Sequence, residues 1–98
     1  MILLVFGLLS TPVFAQSNLV GTVSSEGEPV PFASVLIKNS RLGTAADVEG
    51  YFIIENVPAG TYKVVASSLG FLSEQKEVII PTSGMVVLDF EFEKDLEM

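Results

Sequence analysis

Met85-Val86-Val87-Leu88-Asp89-Phe90-Glu91-Phe92-Glu93 decides how this sequence is read. Val86, Leu88, Phe90 and Phe92 alternate with Val87, Asp89, Glu91 and Glu93. A period of two sends the first set to one face of a β-strand and the second set to the other. A helix would scatter the same four apolar side chains around its circumference. Working back along the chain, the period recurs. Residues 74–80 form a strand closed by Pro81-Thr82-Ser83-Gly84, and residues 61–68 place Tyr62, Val64 and Ala66 on one side. Residues 51–55 turn Phe52 and Ile54 inward, and residues 32–38 do the same with Ala33, Val35 and Ile37. A short, weak strand runs over residues 44–46. The first strand starts at Asn18, where Leu19, Gly21 and Val23 alternate with Val20, Thr22 and Ser24.

Turn residues punctuate these runs. Ser25-Glu26-Gly27-Glu28-Pro29, Asp47-Val48-Glu49-Gly50 and Asn56-Val57-Pro58-Ala59-Gly60 each reverse the chain, and Gly70 interrupts before Phe71. Gly27, Gly50, Gly60 and Gly70 are expected to relieve backbone strain, with Asp47 bonding its own backbone. The result is about seven strands at the spacing of a sandwich. One sheet of this size would leave an apolar face wet, so two packed sheets are expected. The candidate core is Val35, Ile37, Phe52, Ile54, Tyr62, Val64, Leu88 and Phe90.

Composition excludes several functions. The 98 residues include 12 acidic and 5 basic side chains, with no His, Cys or Trp. No imidazole base, thiol nucleophile, disulfide or ordinary zinc site can be built. The net charge of −7 argues against nucleic acid, whose phosphates demand a basic face, and leaves no polybasic patch for anionic lipid. No catalytic, cofactor-binding or metal-binding residue is assigned. A Ser–Lys pair with Lys38, Lys63 or Lys76 is formally available, but these lysines read as solvated surface charge. Asp89, Glu91 and Glu93 could be paired carboxylates; a charged outer strand face is the simpler account. Asp47-Val48-Glu49-Gly50 has too few oxygen ligands for a calcium loop. Tyr51 and Phe71, beside turns, are the candidates for a surface aromatic.

Met1 to Leu9, MILLVFGLL, is apolar throughout and precedes Ser10-Thr11-Pro12 and Val13-Phe14-Ala15. This is the order of an export signal, with cleavage expected after Ala15. The run falls far short of the ~20 residues of a spanning helix. No Lys or Arg precedes it, so the true translation start is expected to lie elsewhere. The division is residues 1–15 as signal peptide, 16–93 as sandwich and 94–98 as the start of a linker.

The ordered series Gly21-Thr22-Val23, Pro31-Phe32-Ala33-Ser34-Val35-Leu36-Ile37-Lys38, Gly43-Thr44 and Asp47-Val48-Glu49-Gly50-Tyr51-Phe52-Ile53-Ile54 resembles the carboxypeptidase-regulatory-like domain. Val57-Pro58-Ala59-Gly60-Thr61-Tyr62-Lys63-Val64 and Ser68-Leu69-Gly70-Phe71 continue the match. The resemblance implies an all-β, seven-stranded transthyretin-like Greek-key β-sandwich. It transfers no catalytic residue, because the family consists of accessory modules. Many stand directly after a signal peptide in TonB-dependent outer-membrane receptors of the SusC-like kind, ahead of a TonB box, plug and barrel. The implied role is a periplasmic interaction domain, here truncated before plug and barrel and monomeric in isolation. Its partners would be protein: the receptor's own plug or barrel, or the energy-transducing machinery. The alternative is a free-standing secreted module that binds carbohydrate or stabilises a partner enzyme.

Overall fold

Alternation in β1 (Gln16–Ser25) sets the architecture: Ser17, Leu19, Gly21, Val23 and Ser25 are buried, and the residues between them are not. In the computed structural model, which describes residues 16–96, β1 is the middle strand of one sheet. The expected signal peptide lies outside the described residues. β2 (Glu28–Pro29) and β5 (Tyr51–Pro58) pair with β1 antiparallel. β8 (Gly84–Val87) and β9 (Phe90–Glu91) pair with β1 in parallel. The second sheet is antiparallel, in the order β4 (Gly43–Ala45), β3 (Ser34–Ile37), β6 (Gly60–Ser67), β7 (Glu74–Ile80). The fold is an all-β sandwich, as expected. Its core holds Leu19 and Phe52 from the first sheet, Val35, Ile37 and Val64 from the second, and Phe90 and Phe92 from the end of the chain.

The described residues form nine strand segments rather than seven. The segment Ser25 to Pro29 is a hairpin, not only a turn. Glu26 and Gly27 have φ of 52° and 82°, and Ser25 pairs with Glu28. Two successive positive φ values are what a two-residue hairpin needs to follow the strand twist. The expected strand over residues 32–38 starts only at Ser34. Phe32 has φ 62° and is 69% exposed, because Pro31-Phe32 forms a turn that carries the chain from buried Val30 to buried Ala33.

Residues 56–60 are not a turn as a whole. β5 continues to Pro58, and Asn56 is a bulge at φ 60°. Leu19 pairs with Ile54 and Ser17 with Val57, so β5 spends one more residue than β1 over this interval. Asn tolerates that left-handed conformation, and its N–H donates to Asn18 Oδ1 at 3.2 Å. The bulge brings Val57 into the core.

The last strand is broken at Leu88-Asp89. The chain comes close to β1 there: a Cβ on Gly21 would stand 1.8 Å from Leu88 O. The expected linker from residue 94 stays on the sandwich through Asp95. Lys94 bridges to Phe71, Asp95 N–H donates to Gly70 O at 3.0 Å, and Leu72 N–H to Glu93 O at 2.8 Å.

Candidate functional site

Of the candidate core residues, Val35, Ile37, Phe52, Ile54, Val64 and Phe90 are buried, whereas Tyr62 and Leu88 are half-buried at its margin. Tyr62 keeps its hydroxyl at the surface, where it donates to Pro58 O at 2.9 Å. Among the turn residues, Asp47 Oδ1 accepts from Glu49 N and Tyr51 N, both at 2.9 Å. Gly50 follows at φ 83°, where a Cβ would meet Val23 O at 2.5 Å. Gly27, Gly60 and Gly70 also have positive φ. These residues shape the backbone, and each is explained without a ligand.

Among the described residues no group of three or more carboxylates is gathered to hold a metal ion. Asp89, Glu91 and Glu93 are exposed on the outer side of the last strand. Asp89 is tied to β1, its Oδ1 accepting from Thr22 N at 2.9 Å and from Thr22 Oγ1 at 3.1 Å. Lys76 Nζ donates to Asp89 O at 2.6 Å and lies 5.5 Å from the centre of the Phe90 ring. Lys38 Nζ reaches Gln75 Oε1 at 3.4 Å. No hydrogen bond joins a lysine to a Ser or Thr hydroxyl among the described residues, so no Ser–Lys pair is assembled.

The two surface aromatics part company. Phe71 is half-buried and stacks on Phe92, with ring centres 5.4 Å apart at 27°. Tyr51 is 57% exposed on the outer face of the first sheet. Around it that face is apolar. Val20 pairs with Ile53 on one side and with Val87 on the other, and Asn18 pairs with Met85. Val20, Thr22, Tyr51, Val87 and Asp89 line a shallow depression of about 330 Å³ there. Sequence reasoning marked Tyr51 as a surface aromatic but missed the row Ile53–Val20–Val87. Each member is an outward residue of its own strand, and only the register makes them neighbours. A larger concavity, about 650 Å³, opens where the chain leaves the sandwich and is lined by Glu26, Glu91, Glu93 and Lys94 among others. Its Glu26–Lys94 pair, 3.1 Å apart, is solvent-exposed.

Known proteins resemble this chain both in sequence and in fold. The family model for the CarboxypepD_reg-like domain matches residues 19–98. The TonB-dependent receptor P26 of Formosa agariphila is 36% identical over 77 residues, covering 79% of this chain and 7% of that protein. The TonB-dependent receptor P39 of the same organism is 30% identical over 84 residues, covering 85% of this chain and 8% of the receptor. The chain therefore spans less than a tenth of the length of the receptors it matches. Among solved structures, a type II cohesin–X-dockerin complex from Acetivibrio cellulolyticus superposes with a TM-score of 0.67 at 18% identity, over 80% of this chain and 58% of that one. That likeness is one of fold.

Proposed function

The chain belongs to the CarboxypepD_reg-like domain family, and from that premise we propose that it is a non-catalytic interaction domain of a TonB-dependent outer-membrane receptor, held on the periplasmic side. The observation that carries this reading is the 36% identity to a TonB-dependent receptor over 79% of the chain. Three further features support it. The residues around the predicted turns serve the backbone rather than a ligand. The carboxylates are spread over turns and outer strand faces. The apolar run Met1 to Leu9, followed by Ser10-Thr11-Pro12 and Val13-Phe14-Ala15, fits an export signal, which a periplasmic domain requires. The domain would work by contact with protein, either the rest of its receptor or the energy-transducing machinery.

The test is fractionation of cells that make the protein, using an antibody raised against residues 16–96. The reading expects the epitope in the outer-membrane fraction, on a polypeptide many times longer than this chain, and facing the periplasm in protease-protection assays. A free polypeptide of this size in the soluble fraction, retained by glycan in affinity electrophoresis, would replace it with the secreted carbohydrate-binding module.

A further inference from the structure

The two outer faces of the sandwich differ in how their exposed apolar residues are arranged. On the second sheet the outward residues of β6 and β7 bring Lys63 opposite Glu77 and Val65 opposite Gln75. Leu36, beside Val65, and Ile79, beside Thr61, are exposed there too, but the Lys63–Glu77 pair lies between them. On the first sheet the outward row is Ile53, Val20 and Val87 across three adjacent strands, with Tyr51 and Met85 on either side of it. Ile53 is 46% exposed and Val87 is 65% exposed. Such a contiguous apolar face is what partner surfaces show.

The rim of this face is acidic. Asp89 stands on the wall of the depression beside Tyr51 and Val87. Glu91, paired with Ser24, follows it on the same side. The 47–50 turn closes on the same end of β1, where Val23 N–H donates to Gly50 O at 2.8 Å, and so adds Asp47 and Glu49. The Glu26–Glu28 hairpin caps β1 there as well. These six carboxylates thus stand around one end of the apolar face, and Glu55, exposed two residues beyond Ile53, marks the other. Asp89 uses Oδ1 for Thr22 and makes no hydrogen bond through Oδ2 within the described residues.

We infer that the outer face of the β5–β1–β8 sheet docks an extended apolar polypeptide segment bearing a Lys or Arg side chain, with its cation against Asp89 in the depression between Tyr51 and Val87. The charge selects this occupant. A second copy of the chain would bring Asp89 against another Asp89 or, with its strands reversed, against the end that carries Asn18 and Glu55, which offers no cation. An anionic lipid surface would be repelled by it. A cationic side chain meets a carboxylate with a free oxygen and an exposed aromatic ring, both of which favour it. Geometry fixes the spacing. In an extended segment lying along β1, side chains two residues apart fall ~6.6 Å apart on one face. One then sits over Val20 in the apolar row and the next over Thr22 in the depression, so the motif is apolar–x–cation in a segment parallel to β1 and cation–x–apolar in one antiparallel to it. This inference deepens the reading of the domain as a protein-interaction module and rests on it.

The test uses the full chain labelled with ¹⁵N and two blocked hexapeptides, one alternating Leu with Ser and carrying a single Arg two residues after a Leu, the other with Glu in place of that Arg. The Arg peptide is expected to shift the amides of Val20, Thr22, Ile53 and Val87 and to bind about fivefold more tightly than the Glu peptide, the gain of a rim ion pair. Asp89→Asn with Glu91→Gln keeps the oxygen that Thr22 needs; it should abolish that preference while lowering the melting temperature by no more than about 4 °C. Ile53→Ser should weaken both peptides. Equal binding of the two peptides, or shifts confined to the second sheet, would overturn the inference. Concentration-dependent shifts of the same four amides without peptide would overturn it in favour of a second copy as occupant. None of these outcomes bears on receptor membership, which fractionation tests.

Discussion

Asp89 lends β1 the acceptor that the broken last strand withholds: its Oδ1 lies 2.9 Å from Thr22 N and 3.1 Å from Thr22 Oγ1. The parallel pairing above it is made by backbone, with Leu88 N–H on Val20 O at 2.8 Å. It resumes below, with Phe92 N–H on Ser24 O at 2.8 Å. One side chain bridges the gap between these two stretches. Asp89→Ala should therefore destabilise the domain by about 1 kcal/mol, the net worth of a partly solvated hydrogen bond. Asp89→Asn, which retains the oxygen, should lose less than half of that. Urea unfolding measures both, and equal losses in the two variants would show that the carboxylate acts through its charge instead.

Phe52 and Tyr51 are neighbours in sequence and opposites in energy. Phe52 is 4% exposed, with its ring 6.2 Å from that of Phe90, whereas Tyr51 is 57% exposed. Phe52→Ala should cost about 3–5 kcal/mol, the transfer and cavity cost of a buried phenyl ring. That is most of the stability of so small a domain. Tyr51→Ala should stay within about 0.5 kcal/mol, as surface substitutions do. A Phe52→Ala loss under about 1 kcal/mol would mean that the core closes over the cavity.

Three glycines should rank by what a methyl group would meet. At Gly21 it would stand 1.8 Å from Leu88 O, a backbone atom that can yield only if β8 moves off β1. At Gly50 it would stand 2.5 Å from Val23 O, with φ at 83°. At Gly27, φ 82°, it would meet open space, leaving only the left-handed penalty of about 1–2 kcal/mol. Alanine substitution should lower the melting temperature in the order Gly21, Gly50, Gly27, most to least, in a thermal scan followed by circular dichroism. Gly27→Ala proving the most damaging would refute the steric account.

Much of the fold was legible because alternation is local. β1 and the middle of β6 keep a period of two, and that places Leu19, Val23, Val64 and Ala66 inward. Reading failed where one residue broke the phase. The Asn56 bulge turned an apparent loop residue, Val57, into core, and the Pro31–Phe32 turn put a phenylalanine in solvent. The parallel pairing of β1 with β8 and β9 was not readable at all, since partner choice depends on contacts more than sixty residues apart in the chain. The apolar outer face was hidden for the same reason: Val20, Ile53 and Val87 form a row only once three distant strands are in register.

The end of the domain supplies the last prediction. Phe71 bridges to Lys94, its ring stacks on Phe92, and Asp95 N–H donates to Gly70 O. The Lys94 ammonium also lies 3.1 Å from Glu26 Oε2, with the two side chains 60% and 72% exposed. Backbone pairing and ion pair make separable demands. Removing residues 94–98 deletes the bridge and should cost about 1–2 kcal/mol, through two lost backbone contacts and a loosened Phe71. Glu26→Gln breaks only the exposed ion pair, which is worth about 0–1 kcal/mol and is screened by salt. The shortened chain should therefore melt several degrees lower at every salt concentration. Glu26→Gln should differ from the parent only slightly at low salt and not at all in ~1 M salt, where the screening length falls to about 3 Å. If the shortened chain matched the parent in melting temperature, the boundary would return to Glu93.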